Sequence, residues 1–276
     1  MRMDIKGKRI FNWRAAGMIV FHTDLDNTLI YSYRHDIGQD KICAEIYQGR
    51  EISFITPRTL QLLQQIRMRK EQVLVVPTTT RTVEQYQRID LGVGALRYAL
   101  VCNGGVLLVD GNEDNDWYLE SLERIRGSRQ MLDRALAFLE KEKRRTFELR
   151  FIRDLFVFTK CEEPEMVVKD LQKSIDVNVV DVFHNGVKVY AVPKALSKGT
   201  AVERFRKYAG ADFAVAAGDS AFDISMLEAA DYGIAAPELA QKVHFSDKVN
   251  CPPEEKLFSE AALAAVLQVS AGRQWQ

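Results

Sequence analysis

The sequence has no surplus of either charge: Lys+Arg and Asp+Glu both number 38. A chain so balanced has no general electrostatic pull towards nucleic acid or acidic membranes, and neither is an expected partner. It also lacks a C-x-x-C pair. Its four cysteines, Cys43, Cys102, Cys161 and Cys251, are scattered, which argues against a disulfide framework or a zinc site and suits a reducing cytosol. No apolar run approaches membrane-spanning length. The N-terminal "MRMDIKGKRIFNWRAAG" is positively charged but has no apolar centre of the kind a signal peptide needs. Internal repeats and low-complexity tracts are missing too, which excludes solenoids and disordered linkers. The expectation is a cytoplasmic protein, a monomer or small homo-oligomer. With 47% hydrophobic and 28% charged residues in 276, it can bury one large domain or two unequal ones.

Apolar runs that read as buried strands recur: "GMIVFHTD", "QVLVVPTT", "ALVCNGG", "FAVAAGD" and "YGIAA". Helical stretches lie between several of them. "TPRTLQLLQQIRMRK" has Thr56 as N-cap and Pro57 at the first helical position, and "SKGTAVERFRKYAG" ends at Gly210. Buried strands alternating with helices predict a parallel α/β sheet. From about Val106 to Tyr190 the pattern changes to strand, helix, strand, strand, helix, strand, strand. Its strands are "TFELRF", "LFVFTK", "NVVDVFH" and "VKVYAV", the last two flanking Asn185-Gly186, read as a hairpin turn with positive φ at both residues. The fold class is therefore α/β, a Rossmann-like parallel-sheet core (residues 1–105 and 191–276) with a smaller α+β domain inserted at 106–190. A further segment, "KICAEIYQGREISFI", reads as a hairpin turning at Gln48-Gly49. It is either an ordinary surface hairpin or a flap, since it leaves directly from the loop that follows the first strand.

The predicted parallel strands end in chemistry. The first ends at Asp24 and Asp26, the second at Thr78-Thr79-Thr80-Arg81, the third at Asn103-Gly104-Gly105, and the fourth at Gly218-Asp219-Ser220. Ligands of open parallel sheets bind outside the carboxyl ends of the strands. Each motif alone has an ordinary reading, as a turn, a helix cap or a solvated charge. Their joint occurrence, in this order, does not.

The chain resembles the haloacid dehalogenase (HAD) superfamily of Mg²⁺-dependent phosphohydrolases. "DLDNT" matches the first motif, "PTTTR" the threonine of the second, "LSKGTAV" the lysine of the third and "GDSAFDISML" the acids of the fourth. "VCNGG" is similar to a signature of the Cof-type and sucrose-phosphate-phosphatase-like branch. The large insert between the second and third motifs looks like the cap of that branch.

The resemblance implies roles. Asp24 would attack phosphorus, forming an aspartyl-phosphate. Asp26 would act as general acid and then general base, its pKa raised by neighbouring anions. Mg²⁺ would be held by Asp24, the Asp26 backbone carbonyl and Asp219, with Asp223 ligating or orienting through water. Thr79 and Lys198 would bind the phosphoryl oxygens; Asn103, Gly104 and Arg81 would face the leaving group. Asn27 stands where glycine is commoner, and asparagine also tolerates unusual backbone angles. Tyr31, Tyr33, Arg34 or His35 near the flap, and Arg150, Arg153, Lys160, His184 or Lys188 in the cap, could touch substrate or be merely solvated. The expected reaction is hydrolysis of a small phosphorylated metabolite, a sugar or polyol phosphate. A phosphomutase or phosphotransferase, or a sensing module without turnover, are the alternatives.

Overall fold

A computed structural model describes residues 17–272 and, further upstream, the backbone of a short antiparallel pair, Arg2–Met3 with Arg9–Ile10. Apart from that pair, the charged N-terminal stretch read above lies outside the described residues.

Strand β1 (Ile19–Thr23) is buried along its whole length. Ile19 and Phe21 pack on one face among Leu63, Ile66 and Val266, while Val20 packs on the other with Leu100 and Phe205. Both faces are covered, so an uninterrupted apolar run is what this position requires. After a short strand β2 (Tyr31–Ser32), strands β3 (Ile42–Tyr47) and β4 (Arg50–Ile55) form the expected hairpin, turning at Gln48 (φ 50°) and Gly49 (φ 75°). Helix α1 (Pro57–Arg67) begins as expected, with the Thr56 hydroxyl accepting from the Thr59 N–H at 3.0 Å. It leads to β5 (Val73–Pro77) and the one-turn α2 (Val83–Tyr86).

Strands β6 (Tyr98–Val101), β7 (Val106–Val109) and β8 (Asn112–Glu113) form an antiparallel meander. It joins the parallel sheet at the Thr78–Leu100 bridge, continued by the Cys102 and Asn103 N–H groups, which donate to the Arg81 and Thr79 carbonyls. The expected domain boundary at 105/106 falls inside this hairpin. Beyond it, Trp117 still packs with Leu100, Leu107 and Phe205 on the core side. The cap has two helices where one was expected, α3 (Asn115–Arg124) and α4 (Arg129–Glu140), broken by a tight turn at Arg126–Ser128. Its sheet comprises β9 (Arg150–Ile152), β10 (Phe156–Lys160), β11 (Val180–Asn185) and β12 (Lys188–Pro193), with α5 (Pro164–Gln172) between β10 and β11. Two local readings need correction. Strand β9 starts later than Thr146, because the Thr159 hydroxyl donates to the Phe147 and Glu148 carbonyls in place of a regular ladder. The β11–β12 turn is centred on Gly186-Val187: Asn185 pairs with Lys188, and of the two residues predicted to turn only Gly186 has positive φ.

The chain then returns to the core through α6 (Lys198–Ala209), β13 (Phe213–Gly218), α7 (Ile224–Ala229), β14 (Tyr232–Ala235), α8 (Pro237–Ala240), β15 (Val249–Asn250) and α9 (Phe258–Ser270). The five-stranded sheet runs β15-β14-β13-β1-β5, all parallel. From β1 the chain first moves to one side, at β5, and later comes back to the other, at β13. The crevice between the carboxyl ends of β1 and β13 is thus a topological switch point, where ligands of such sheets bind. Among the described residues no helix is long and apolar enough to cross a membrane.

One glycine holds the cap-side loop against the core. Gly104 has φ +84°, and a Cβ there would lie 2.3 Å from the Ala201 Cβ on α6. Gly104→Ala is therefore expected to cost about 3 kcal/mol, combining left-handed strain with overpacking. Gly111→Ala (φ +82°, open space) isolates the strain alone, about 1–2 kcal/mol. Urea unfolding of the two variants should show this difference.

Candidate active site

The β1 carboxyl end is fixed by its neighbours: the Asp24 N–H donates to the Ala217 carbonyl and the Thr78 N–H to the Thr23 carbonyl. The loop that follows turns through Asn27 at φ 57°, the angle for which asparagine was expected to substitute. Asp24, Asp219 and Asp223 converge, each with a ligand oxygen within 4.8 Å of the others. The two strand ends are thus close enough for their acids to share an ion.

Lys198 lies at the centre. It is 1% exposed, and its Nζ donates to Asp24 Oδ1 at 2.7 Å and to Asp223 Oδ1 at 2.5 Å. Helix α6 positions it, capped by Ser197, whose hydroxyl accepts from the Thr200 N–H. Burial pulls the Lys198 pKa down, but the two carboxylates outweigh burial and raise it. Asp223 is fully engaged: its other oxygen accepts from the Asp219 N–H, the Ser220 N–H and the Ser220 hydroxyl. This leaves Asp24 and Asp219 as the carboxylates best placed to ligate, with Asp223 behind them. Burial, reinforced by the nearby Asp223, pushes the Asp219 carboxyl up to about 7, although Thr28 and Asn27 donate to it. Asp24 is raised by burial as well, and the Lys198 charge only partly opposes this. Three crowded carboxylates facing one ammonium leave an excess of negative charge. A hard, oxygen-seeking divalent cation fits that donor set.

Asp26 behaves differently from expectation. Its side chain is half exposed at the crevice mouth; crowding by protein pushes the carboxyl up, but the Arg81 guanidinium, donating to both oxygens at 2.8 Å, more than offsets this and holds it low. The neighbouring acids expected to raise it are outweighed by a cation whose position the sequence did not reveal. Arg81 in turn also donates to Glu45 at 3.0 and 2.9 Å, so it ties Asp26 to the flap. Glu45 is 2% exposed and accepts from Arg88 and Ser53 as well. Its carboxyl sits below the usual range, because Arg81 overcomes the effect of burial. A bulge between Cys43 and Ile46 turns Ala44 and Glu45 inward together. The hairpin is thus a flap anchored to the site, the second of its two readings. Since Glu45 has a folded pKa below its unfolded value, its stabilisation is complete above about pH 4.5 and fades as pH falls through the folded value. Glu45→Gln should therefore flatten the melting temperature between about pH 5 and pH 3, compared with the parent.

A cavity of about 790 Å³ opens over these groups, lined by core, flap and cap. Asp24, Asp26, Arg81, Lys198 and Asp219 all face it. Of the three threonines, Thr80 lines it; Thr79 is wholly buried, with its hydroxyl accepting from the Arg81 N–H. Asn103 and Gly104 are directed elsewhere. Asn103 donates to the Leu196 carbonyl at 2.9 Å, two residues before Lys198, and the Gly104 carbonyl accepts from the Trp117 indole. Asn103 thus braces the start of α6 and Gly104 holds α3, while the buried Asn103 Oδ1 has no hydrogen-bond partner among the described residues. Among the residues with two open readings, Tyr33, Arg34, His35, Arg150, Lys160 and Lys188 line the cavity. Tyr31, Arg153 and His184 do not: Tyr31 accepts from the Ser259 N–H, and Arg153 pairs with Glu113.

The family model for haloacid dehalogenase-like hydrolases matches residues 109–244, which include Lys198, Asp219 and Asp223. Over that stretch, just under half of its length, the chain resembles the haloacid dehalogenase-like hydrolases. No curated protein matches its sequence. Solved HAD structures share the fold across nearly the whole chain. The sucrose-phosphatase of Synechocystis, solved with sucrose and phosphate, aligns with a TM-score of 0.64 at 17% identity, over 91% of this chain and 98% of its own. A HAD/COF-like hydrolase from Plasmodium vivax gives 0.57 at 12% identity, over 93% and 98%. A HAD-superfamily phosphatase from Bacteroides thetaiotaomicron gives 0.53 at 14% identity, over 94% and 97%.

Proposed function

We propose that this protein is a Mg²⁺-dependent phosphatase that cleaves a small phosphorylated metabolite through an aspartyl-phosphate on Asp24. The observation that carries the reading is the meeting of Asp24, Asp219 and Asp223 around Lys198, at the switch point between β1 and β13. Asp24 and Asp219 would hold the ion, with the Asp26 backbone carbonyl beside them and Asp223 orienting the set. Bound there, the cation would supply positive charge that offsets the repulsion between carboxylate and phosphate.

The side chains account for the rest. Lys198 orients Asp24 and holds a second positive charge where the phosphoryl oxygens would sit. Asp24 attacks phosphorus as the ester oxygen departs, and Asp26 gives that oxygen its proton. Water then attacks the aspartyl-phosphate, losing its proton to Asp26, which restores both acids and releases inorganic phosphate. Arg81 holds the Asp26 carboxyl low, so acid catalysis by Asp26 would call for substrate to loosen the Arg81 fork. Thr80, on the cavity wall, would reach the phosphoryl oxygens ahead of the buried Thr79, whose hydroxyl accepts from the Arg81 N–H; Asn103 would act through α6. A cavity of about 790 Å³ is large enough for a sugar or polyol phosphate, and a sucrose-phosphatase shares the fold.

Release of inorganic phosphate from p-nitrophenyl phosphate should require Mg²⁺ and stop when the ion is chelated. Undiminished release in excess chelator would overturn the metal assignment. Transfer of the phosphoryl group to a second sugar, without free phosphate, would favour the mutase alternative instead.

A further inference from the structure

The two faces of the cap sheet differ in kind. Val157, Val180, Val182, Val189 and Ala191 alternate onto one face, and pack with Leu132, Leu139 and Leu171 of the cap helices. The opposite face is the roof of the cavity. Across it run two rows set by the strand register. Arg150 pairs with Phe158, and Phe158 with Tyr190; one step further along, Lys160 pairs with Lys188. All five line the cavity.

The second row is anomalous. Two lysines directly opposite each other on neighbouring strands repel, and such a pair destabilises a sheet. Arg150 is neutralised by Glu148, but among the described residues neither Lys160 nor Lys188 has a carboxylate within ion-pairing distance. Lys160 rests its ammonium over the Phe147 ring at 4.6 Å, which leaves its charge in place. Lys188 is exposed, and its charge is felt at Asp26. Of the other cations of the cavity, Arg81 and Arg88 pair with Glu45 and Lys198 with Asp24 and Asp223, while Arg34, on the flap side, donates to the Tyr33 hydroxyl. A like-charged pair without carboxylate partners, on the wall of the same cavity as Asp24 and Asp219, invites an anion.

We infer that Lys160 and Lys188 form a second anion subsite, so that the favoured substrate is a phosphate monoester whose leaving group itself carries a carboxylate or a second phosphate. The inference rests on the phosphatase reading and specifies its substrate class. Phe158 and Tyr190 would bear the apolar faces of the leaving group between the two anionic ends.

The test uses the full-length Asp24→Asn protein with Mg²⁺, so that ligands bind without turnover, and reads affinity by calorimetry. Two matched pairs separate the two sources of the anion: 3-phosphoglycerate against glycerol 3-phosphate for the carboxylate, and fructose 1,6-bisphosphate against fructose 6-phosphate for the phosphate. In at least one pair the dianionic-ended member should bind at least about tenfold more tightly, as a pair of charge-assisted hydrogen bonds implies. Which pair shows the gap identifies the anion. Adding Lys160→Met and Lys188→Met should shrink that gap to about twofold. Equal affinities within both pairs, or a gap that survives the two substitutions, would overturn the subsite. The phosphatase reading fails separately, through the parent protein's inability to release phosphate from p-nitrophenyl phosphate, a substrate with no second anion.

Discussion

Asp24→Asn is expected to reduce phosphate release by at least about four orders of magnitude, the scale on which removal of a covalent nucleophile acts. The substitution is close to isosteric, and its amide oxygen can still accept from Lys198, but an amide does not form the phosphorylated intermediate. It also withdraws a charge from a place where burial already disfavours one. The melting temperature should consequently hold or rise while turnover disappears. A loss of activity with collapse of the fold would remove the meaning of the result; turnover within tenfold of the parent would refute Asp24 as nucleophile.

Lys198→Met is expected to have the largest effect on stability. Lys198 is 1% exposed and joins two buried carboxylates. Breaking a buried pair by removing one partner costs about 3–5 kcal/mol, because the other charge stays behind uncompensated. Here two stay behind. The sign of the pH dependence follows. Asp24 is already raised by burial, and without the opposing ammonium its folded pKa stands further above its unfolded one, so its protonated form favours the fold. Stability should then improve as pH falls towards the unfolded carboxylate range and decline as pH rises through the folded value. Mg²⁺ should raise the variant's melting temperature more than the parent's, since it would restore positive charge among the same acids. Differential scanning fluorimetry with and without the ion would measure both effects. A variant as stable as its parent at neutral pH without metal would contradict the electrostatic role given to Lys198.

Much of this arrangement was legible in the sequence because strand ends and helix starts leave local marks. The runs into Asp24, Thr78 and Asp219, and the Ser197-Lys198 start of α6, are each continuous stretches, and the sheet brings them together as their order implied. The flap turn at Gln48-Gly49 was legible for the same reason. What escaped depends on contacts between distant residues. Glu45 looks like a solvent-facing residue of a strand until a bulge turns it onto Arg81 and Arg88. The low pKa of Asp26 follows from that same arginine, 55 residues away in sequence. Which cap face roofs the cavity is fixed by packing against α4 and α5, and period-2 alternation alone cannot assign inside and outside to two faces that both carry apolar residues. Asn103 and Gly104 have the composition of a binding loop, yet the Asn103 amide N–H is spent on the Leu196 carbonyl before α6 and the Gly104 carbonyl on the Trp117 indole of α3.

The most direct test of the central claim is to acid-quench the protein during turnover of p-nitrophenyl phosphate with Mg²⁺ and to locate any covalent phosphoryl group by peptide mass spectrometry. One phosphoryl group on the side chain of Asp24, lost on treatment with hydroxylamine and absent from Asp24→Asn, is the predicted result. A phosphoryl group on another residue, or rapid turnover with Asp24 never modified, would contradict it.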